Sequence, residues 1–550
     1  MNSSWSRLTK SKKKKREKQS VQYVDKELYS ITEELDIDVD INIKNIKQAL
    51  GNSSDLTIRE FKMGEPFRKK IATIYINGLT DKEIMGSFII DKLMNDISIA
   101  EHADDSISTQ IGTFIKDHII AITHVDEIKD WKKLFLFLLS GQTIVLVDGW
   151  NQAIGCAAQG GELRAITEPI AEPSVRGPRD SFTESLITNT SLIRTRIKTP
   201  DLWLETRELG SITQTEIGIM YINGLVDNDL LTEVRERLDK IEVDEVTGSS
   251  TIEEWISDTT ATPWPTMFVT ERPDVVAGNL LEGRVVIFVN GTPNPLILPA
   301  TWIQFFQTAE DYYLRWTIVG FLRTIRIISL LITLLGPSLF IAFLSFHQEL
   351  IPTPLLINLA AQRQNVPFPI IIEALLMEFT FEVLREAGIR MPRPVGQAVS
   401  IVGALVLGEA AVSAGIVSSA MVIVVAATAI ASFTIPHYGM TDAIRLLRFV
   451  LMILAATYGL FGIGLGVIIL VAHTCSLRSF GIPYLAPFSP IILADQKDAI
   501  LRVPLPFMSK RPRLINQTGA KRTGSTKNLG PTSRKTTKEN KQPKSDPNET

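Results

Sequence analysis

The hydrophobic pattern divides the chain into two unlike parts. Residues 327–346 carry no polar side chains except Ser329, Thr333, Ser338 and Ser345, and residues 396–415, 416–435 and 449–475 are comparably apolar. A hydrocarbon core about 30 Å thick takes roughly 20 residues of helix to cross, and a helix satisfies its own backbone there. The pattern therefore predicts an all-α, multi-pass membrane domain over residues 316–500. Upstream, residues 46–315 mix charged and apolar positions as a soluble domain does.

That soluble part repeats itself. Ile71-Ala-Thr-Ile-Tyr-Ile-Asn-Gly-Leu-Thr-Asp81 matches Ile217-Gly-Ile-Met-Tyr-Ile-Asn-Gly-Leu-Val-Asp227 at an offset of 146. Each copy reads as a β-rich strand, an Asn-Gly turn and an acidic helix start, the helices covering roughly 82–97 and 228–241. Further on, Gly141-Gln-Thr-Ile-Val-Leu-Val-Asp-Gly149 echoes Gly283-Arg-Val-Val-Ile-Phe-Val-Asn-Gly291, again a strand running into a turn. Strands at 119–124 and 266–270, each followed by a helix (130–139 and 274–281), fill the interval in each copy. Two signatures in one order at near-equal spacing predict two related α/β subdomains, 46–167 and 214–315, with helices packed on small sheets. An Arg-rich connector, 168–213, joins them.

Charge and cysteine count narrow the function. The net charge of −3 averages unlike regions. Residues 1–20 hold eight Lys or Arg against one acid, and residues 508–550 hold eleven against three. Lacking apolar periodicity, 1–45 and 501–550 read as disordered basic tails. Beside a membrane domain such tails suit an anionic leaflet, and membrane lipid rather than nucleic acid is the expected partner. No apolar segment follows the basic start, so a signal peptide is not expected. Arg323 and Arg326, just before the first span, put the soluble domain on the cytoplasmic side. Cys156 and Cys475 offer no disulfide framework, and the six histidines show no metal-ligand spacing. Neither Asn-Gly turn has a phosphate-loop pattern. No nucleophile, metal or nucleotide constellation is present, so an enzyme is not expected, nor any cofactor.

Two sets of residues remain as candidate sites. In the connector, Arg176, Arg179, Arg194 and Arg196 lie near Asp180 and Glu184. They form either an ion-pair network between the subdomains or an interface with a neighbouring subunit. In the membrane part, residues 368–393 read as a helix that starts after Pro369 and stops at Gly388. Glu378, Glu382 and Glu386 fall on one stripe of it and Glu373 on the opposite face. Carboxylates in so apolar a helix are costly against lipid and should face protein, water or a pore. Either Glu382 and Arg385 pair at i,i+3 on an interfacial helix, or a ring of such acids in an oligomer selects cations. Glu409, in the next apolar run, is a second candidate of this kind. The basic residues leave four to six spans open, and with them the side of the C-terminal tail.

These residues also carry a resemblance. Arg176-Gly-Pro-Arg-Asp-Ser-Phe-Thr-Glu-Ser-Leu, Tyr221-Ile-Asn-Gly, Glu373-Ala-Leu-Leu-Met-Glu378, Phe381-Glu-Val-Leu-Arg-Glu-Ala-Gly388, Pro392-Arg-Pro394 and Ser476-Leu-Arg-Ser-Phe-Gly-Ile-Pro-Tyr484 stand in one order over residues 70–500. The chain so resembles the A subunit of the GerA-type spore germinant receptors. At Glu409 the family usually carries Gln, which departs from a pore role there. The resemblance implies a bacterial spore inner membrane, a transporter-like B subunit and a lipoprotein C subunit as partners. It further implies a homo-oligomer around an ion-conducting path opened by nutrient. The alternative is a secondary transporter carrying a solute itself; a repeat in the soluble rather than the membrane part speaks against it.

Overall fold

A computed structural model of the chain describes residues 34–62, 69–95, 115, 120, 122, 124–160, 168–169, 171–392, 408–508, 510–515 and 522. The first subdomain is a five-stranded antiparallel sheet: β1 (Leu56–Lys62), β2 (Lys70–Ile76), β3 (Val125–Ile128), β4 (Thr143–Val147) and β5 (Ala153–Cys156), in spatial order β1-β2-β4-β5-β3. The second uses β6 (Leu202–Leu209), β7 (Thr215–Ile222), β8 (Phe268–Val269), β9 (Val285–Val289) and β10 (Leu296–Leu298) in the equivalent order β6-β7-β9-β10-β8. The repeat is thus real in three dimensions and wider than its two signatures. Leu56 pairs with Ile76 and Leu202 with Ile222, so the edge strands obey the offset of 146 as well. Their sequences differ too much for the pattern alone to reveal this.

Repetition extends to the turns. Gly78 and Gly224 have φ of 86° and 76°, a backbone that Gly adopts at little cost. Asp81 and Asp227 then cap the helices that follow, accepting from the N–H groups of Glu83 and Asp229. The Asn-Gly pairs are therefore turn chemistry. The strand expected at 119–124 instead runs over Val125–Ile128, and the one expected at 266–270 is only Phe268–Val269; residues 119, 121 and 123 lie outside the described residues.

Each central strand is buried on both faces. Ala72, Ile74, Ile144 and Leu146 pack under α1 (Val39–Ala49) and α3 (Trp131–Leu138), while Ile71, Val145 and Val147 pack under α2, a helix built from Lys82–Met85, a π-helical turn Gly86–Ile90, and Asp91–Asn95. Strands covered on both sides read as continuous apolar runs rather than alternating ones, as residues 143–147 do. Helix α1 begins inside the segment read as N-terminal tail. Val39, Ile43 and Ile46 give it an apolar stripe that closes the first core, and Asp38 caps it.

In the second subdomain α5 (Asn228–Asp239) and α6 (Ser249–Ile256) cover one face. The other carries α4 (Leu186–Arg196) and α7 (Pro273–Leu281) and merges with the helical region, where Leu330, Met440, Ile444 and Leu477 join the same core as Met220 and Phe288.

The helical region contains α8 (Trp316–Ser345), α9 (Thr353–Arg363), α10 (Ile370–Arg390), α11 (Gly408–Ser413), α12 (Ser419–Phe433) and α13 (Tyr438–Ser476). Helices α8 and α13 are long and apolar enough to cross a membrane; α12 is apolar but shorter. The run expected over 396–415 lies outside the described residues up to 407. Helix α10 continues past Gly388 to Arg390, and the chain leaves it at Met391, whose N–H donates to the Ala387 carbonyl from an extended backbone.

The run read as one span over 449–475 is part of a folded-back pair. At Gly459 (φ 60°, ψ −140°) the helical path breaks. In a straight helix residues 454 and 462 would lie about 12 Å apart along the axis, yet a Cβ on Gly462 would meet the Leu454 carbonyl oxygen at 2.2 Å, and one on Gly466 would meet Leu451 at 2.5 Å. Gly462 and Gly466 thus let residues 460–476 lie against 438–458, as small residues spaced by four do in membrane helix pairs. Both ends of α13 return to the second subdomain: His437 Nε2 meets the Val269 carbonyl of β8 at 3.2 Å and His473 meets Thr262, in the loop before β8, at 3.0 Å. Gly459 lies at the opposite end, against Phe346 and His347.

The start of α8 is fastened by charge. Asp311, fully buried, accepts from Arg323 Nε at 2.9 Å and Arg326 Nη1 at 2.8 Å, and Arg323 also reaches Asp498 at 3.0 Å. This holds residues 498–502, partly assigned to the C-terminal tail from sequence, against the protein. Burial pushes the Asp311 carboxyl up, but Arg326 and Arg323 outweigh it and hold it below its ordinary value. A depressed carboxyl stabilises above its unfolded pKa and loses that contribution as pH falls through the folded one. Asp311→Asn, which strands two arginines, is expected to cost about 3–5 kcal/mol at pH 7. Thermal unfolding of the detergent-solubilised chain should show that deficit, and show it narrowing as pH drops below about 4.

Candidate functional site

Helix α10 puts its acids among apolar helices, and α13 answers them. Glu378 and Arg448, both essentially without solvent exposure, lie 2.7 Å apart. Arg448 also reaches Glu382 at 3.1 Å, and Arg445 Nε donates to Glu382 at 2.9 Å. Arg445 donates at 2.8 Å to Asp442, which Arg385 approaches to 3.9 Å. The helical periods make this possible: Glu378 and Glu382 are spaced i,i+4 on one helix, Arg445 and Arg448 i,i+3 on the other, so two acids face two arginines one turn apart. With Asp442 and Arg385 included, three acids meet three arginines and the cluster is charge-balanced.

The i,i+3 pair expected between Glu382 and Arg385 does not form. Glu382 turns to α13, because a partly buried carboxylate gains more from two arginines than from one on its own helix, and Arg385 lies over the Phe433 ring instead, 5.9 Å from its centre. Glu386 continues the stripe but is exposed and pairs with Arg390 at 2.6 Å. Glu373, on the other face, is fully buried; it accepts from the Ser418 backbone N–H at 2.7 Å at the start of α12 and lies 3.5 Å from Arg363. Glu409 stands exposed on α11 and is not drawn into the cluster. Arg445 and Arg448 are not among the site candidates the sequence singles out; their i,i+3 spacing, matched to the Glu378 stripe, is the signal that pairs them.

The connector arginines separate. Arg194 on α4 is fully buried and bonds Asp55 through Nε at 2.7 Å and Nη2 at 2.9 Å, and Ser53 at 2.8 Å, tying the start of β1 to the second subdomain. Arg196 pairs with Asp180 inside the connector. Arg179 meets Glu168 at 3.2 Å in the open, and Arg176 is exposed. Among the described residues no group of three or more His, Cys, Asp or Glu is placed to hold a metal.

Replacing one member of the buried pair tests the balance. Arg448→Leu is expected to lower stability by about 3–5 kcal/mol, because Glu378 loses its nearest cation. Adding Glu378→Leu to that variant should recover most of the loss. The melting temperatures of the two variants in one detergent read the difference.

Comparison with known proteins places the chain. The family described as Bacillus/Clostridium GerA spore germination protein matches residues 44–514. Spore germination protein KA of Bacillus subtilis (strain 168) is 49% identical over 88% of this chain and 88% of its own length. Spore germination protein GerLA of Bacillus cereus is 37% identical over 86% of this chain and 94% of its own. A crystal structure of the N-terminal domain of the A subunit of the Bacillus megaterium spore germinant receptor GerK3 matches at 37% identity, covering 49% of this chain and 98% of that one, with a TM-score of 0.39. The chain belongs to the GerA family of spore germination proteins, the A subunits of germination receptors.

Proposed function

We propose that the chain is the membrane subunit of a nutrient-responsive germination receptor in the spore inner membrane and is not an enzyme. It works with a transporter-like B subunit and a lipoprotein C subunit, and copies of it assemble around an ion-conducting path. Nutrient held by the partner opens that path. The observation that carries this reading is the charge-balanced cluster between α10 and α13. Glu378 and Glu382 lie where acids are expensive unless used, and arginines at hydrogen-bond distance occupy them. In this reading the acids flank the path and Arg445 and Arg448 hold them away from cations until the helices shift.

The soluble subdomains face the spore core. In this reading the chain crosses the bilayer an even number of times between α8 and the end of α13, supported by the start of α8 and both ends of α13 lying beside the second subdomain. Cys475 is exposed and Cys156 buried, so an impermeant maleimide should label Cys475 from the core side and a Tyr458→Cys variant from the opposite side. Both labelled from one side would overturn the fold-back as a pair of crossings.

The ion-path reading makes two opposite predictions. Glu378→Gln with Glu382→Gln should reduce nutrient-triggered cation release from spores at least tenfold. Arg445→Gln with Arg448→Gln, which frees the acids, should release cations without nutrient. If both variants, present at normal level, behave as wild type, the cluster is not part of the path.

A further inference from the structure

A cavity of about 820 Å³ lies between the second sheet and the adjacent ends of α10 and α12. Small-molecule sites fall at roughly 300–1,000 Å³ and favour domain boundaries. Its walls combine apolar surface from Phe268, Phe433 and Ile435 with the guanidinium groups of Arg284 and Arg385.

Both arginines are left with unused donors. Arg284, 5% exposed, donates through Nη1 to Pro299 and Gln304, but its Nε has no acceptor, and Glu282 is 3.8 Å away. Arg385, 9% exposed, has no acceptor at Nη1 and approaches Asp442 only to 3.9 Å. Native interiors seldom leave such groups unpaired. Of the four acids of the wall, Asp274 accepts from Arg272 and from the Tyr313 hydroxyl at 2.8 Å, Glu172 accepts from Thr270, and Glu282 accepts from Arg522 at 2.8 Å, while Glu310 also lines the cavity. Burial pushes Glu172 up to about 7, although Thr270 and Arg272 pull the other way, so at neutral pH it carries only part of a negative charge. Six arginines line the cavity against four acids, so cationic donors beside apolar wall predominate.

We propose that this cavity binds an organic anion, its carboxylate or phosphate held by Arg284 and Arg385 and its apolar body lying on Phe268, Phe433 and Ile435. The anion comes either from the bilayer, as the head of an acidic phospholipid, or from solution, as an organic acid. Bound there, it contacts the second sheet and α10 together and competes with Asp442 for Arg385. The site shares Arg385 with the charged cluster but not Glu378 or Glu382, so it is tested separately from the ion path.

The test uses the full chain in nanodiscs, with thermal unfolding followed by tryptophan fluorescence. Discs of phosphatidylcholine are compared with discs containing phosphatidylglycerol, and with phosphatidylcholine discs in excess sodium hexanoate. The wild type should unfold several degrees higher in at least one of the two anionic conditions. A rise with phosphatidylglycerol alone assigns a lipid head, and a rise with hexanoate alone assigns a soluble acid. Arg385→Gln should weaken the response about tenfold, the loss of a charge-assisted bond. Gly278→Leu supplies a variant that folds: Gly278 lines the cavity, nothing lies within 4 Å of a Cβ there, and Leu is the better helix former. It should unfold at or above the wild-type temperature and lose the response. No rise in either condition, or an unaltered rise in Gly278→Leu, overturns the proposal.

Discussion

A carboxylate cannot stay ionised inside an apolar helical layer unless a cation reaches it, and the helical region is arranged around that demand. Glu378 and Glu382 bring α10 against the first limb of α13, where Arg448 and Arg445 lie one turn apart. Glu373 does the same toward α12 through Ser418. The apolar side chains around them, Ile341, Ile370, Met421 and Met452 among others, fill space without dictating which helix stands beside which. The charges supply that choice of neighbour.

The same economy joins the soluble part to the helices. One hydrophobic core runs from Met220 and Phe288 of the second sheet to Met440 and Leu477 of α13. Polar ties cross the same boundary: His437 to Val269, His473 to Thr262, and Ser479 to the Thr266 carbonyl. Asp311 adds a buried ionic lock at the foot of α8. The second subdomain, α8 and α13 are thus packed as one unit around a shared core.

The first subdomain is attached differently. Its own sheet and helices close two separate cores, and polar ties join it to the second: Arg194 bound to Asp55 and Ser53, the Ser54 N–H on the Leu204 carbonyl, and Trp203 Nε1 on the Ala49 carbonyl. Of the connector arginines weighed as interface residues, Arg194 and Arg196 are thus engaged within the chain, while Arg176 and Arg179 remain on the surface. The symmetry of the two sheets does not extend to their surroundings: among the described residues, the core of the second sheet is shared with the C-terminal helices, while the cores of the first are closed by its own helices.

The residues alone determined the division into soluble and apolar parts, the duplicated strand-turn-helix unit and the helix carrying Glu378 and Glu382, because each rests on local periodicity or on a turn that only certain residues allow. Membership of the family was legible too, in several motifs standing in one order. The edge strands of the repeat, the ordered start of α1 and the reversal at Gly459 were not. An apolar run looks the same whether it crosses once or folds back, and one glycine among the several in 459–466 carries no mark of the break; it shows only when Gly462 and Gly466 are seen against Leu454 and Leu451. Tertiary structure likewise decided the partners of the acids. Sequence placed Glu378 and Glu382 on a common stripe, but the arginines that pair with them lie more than sixty residues away, and only packing brings charges that distant in the chain into contact.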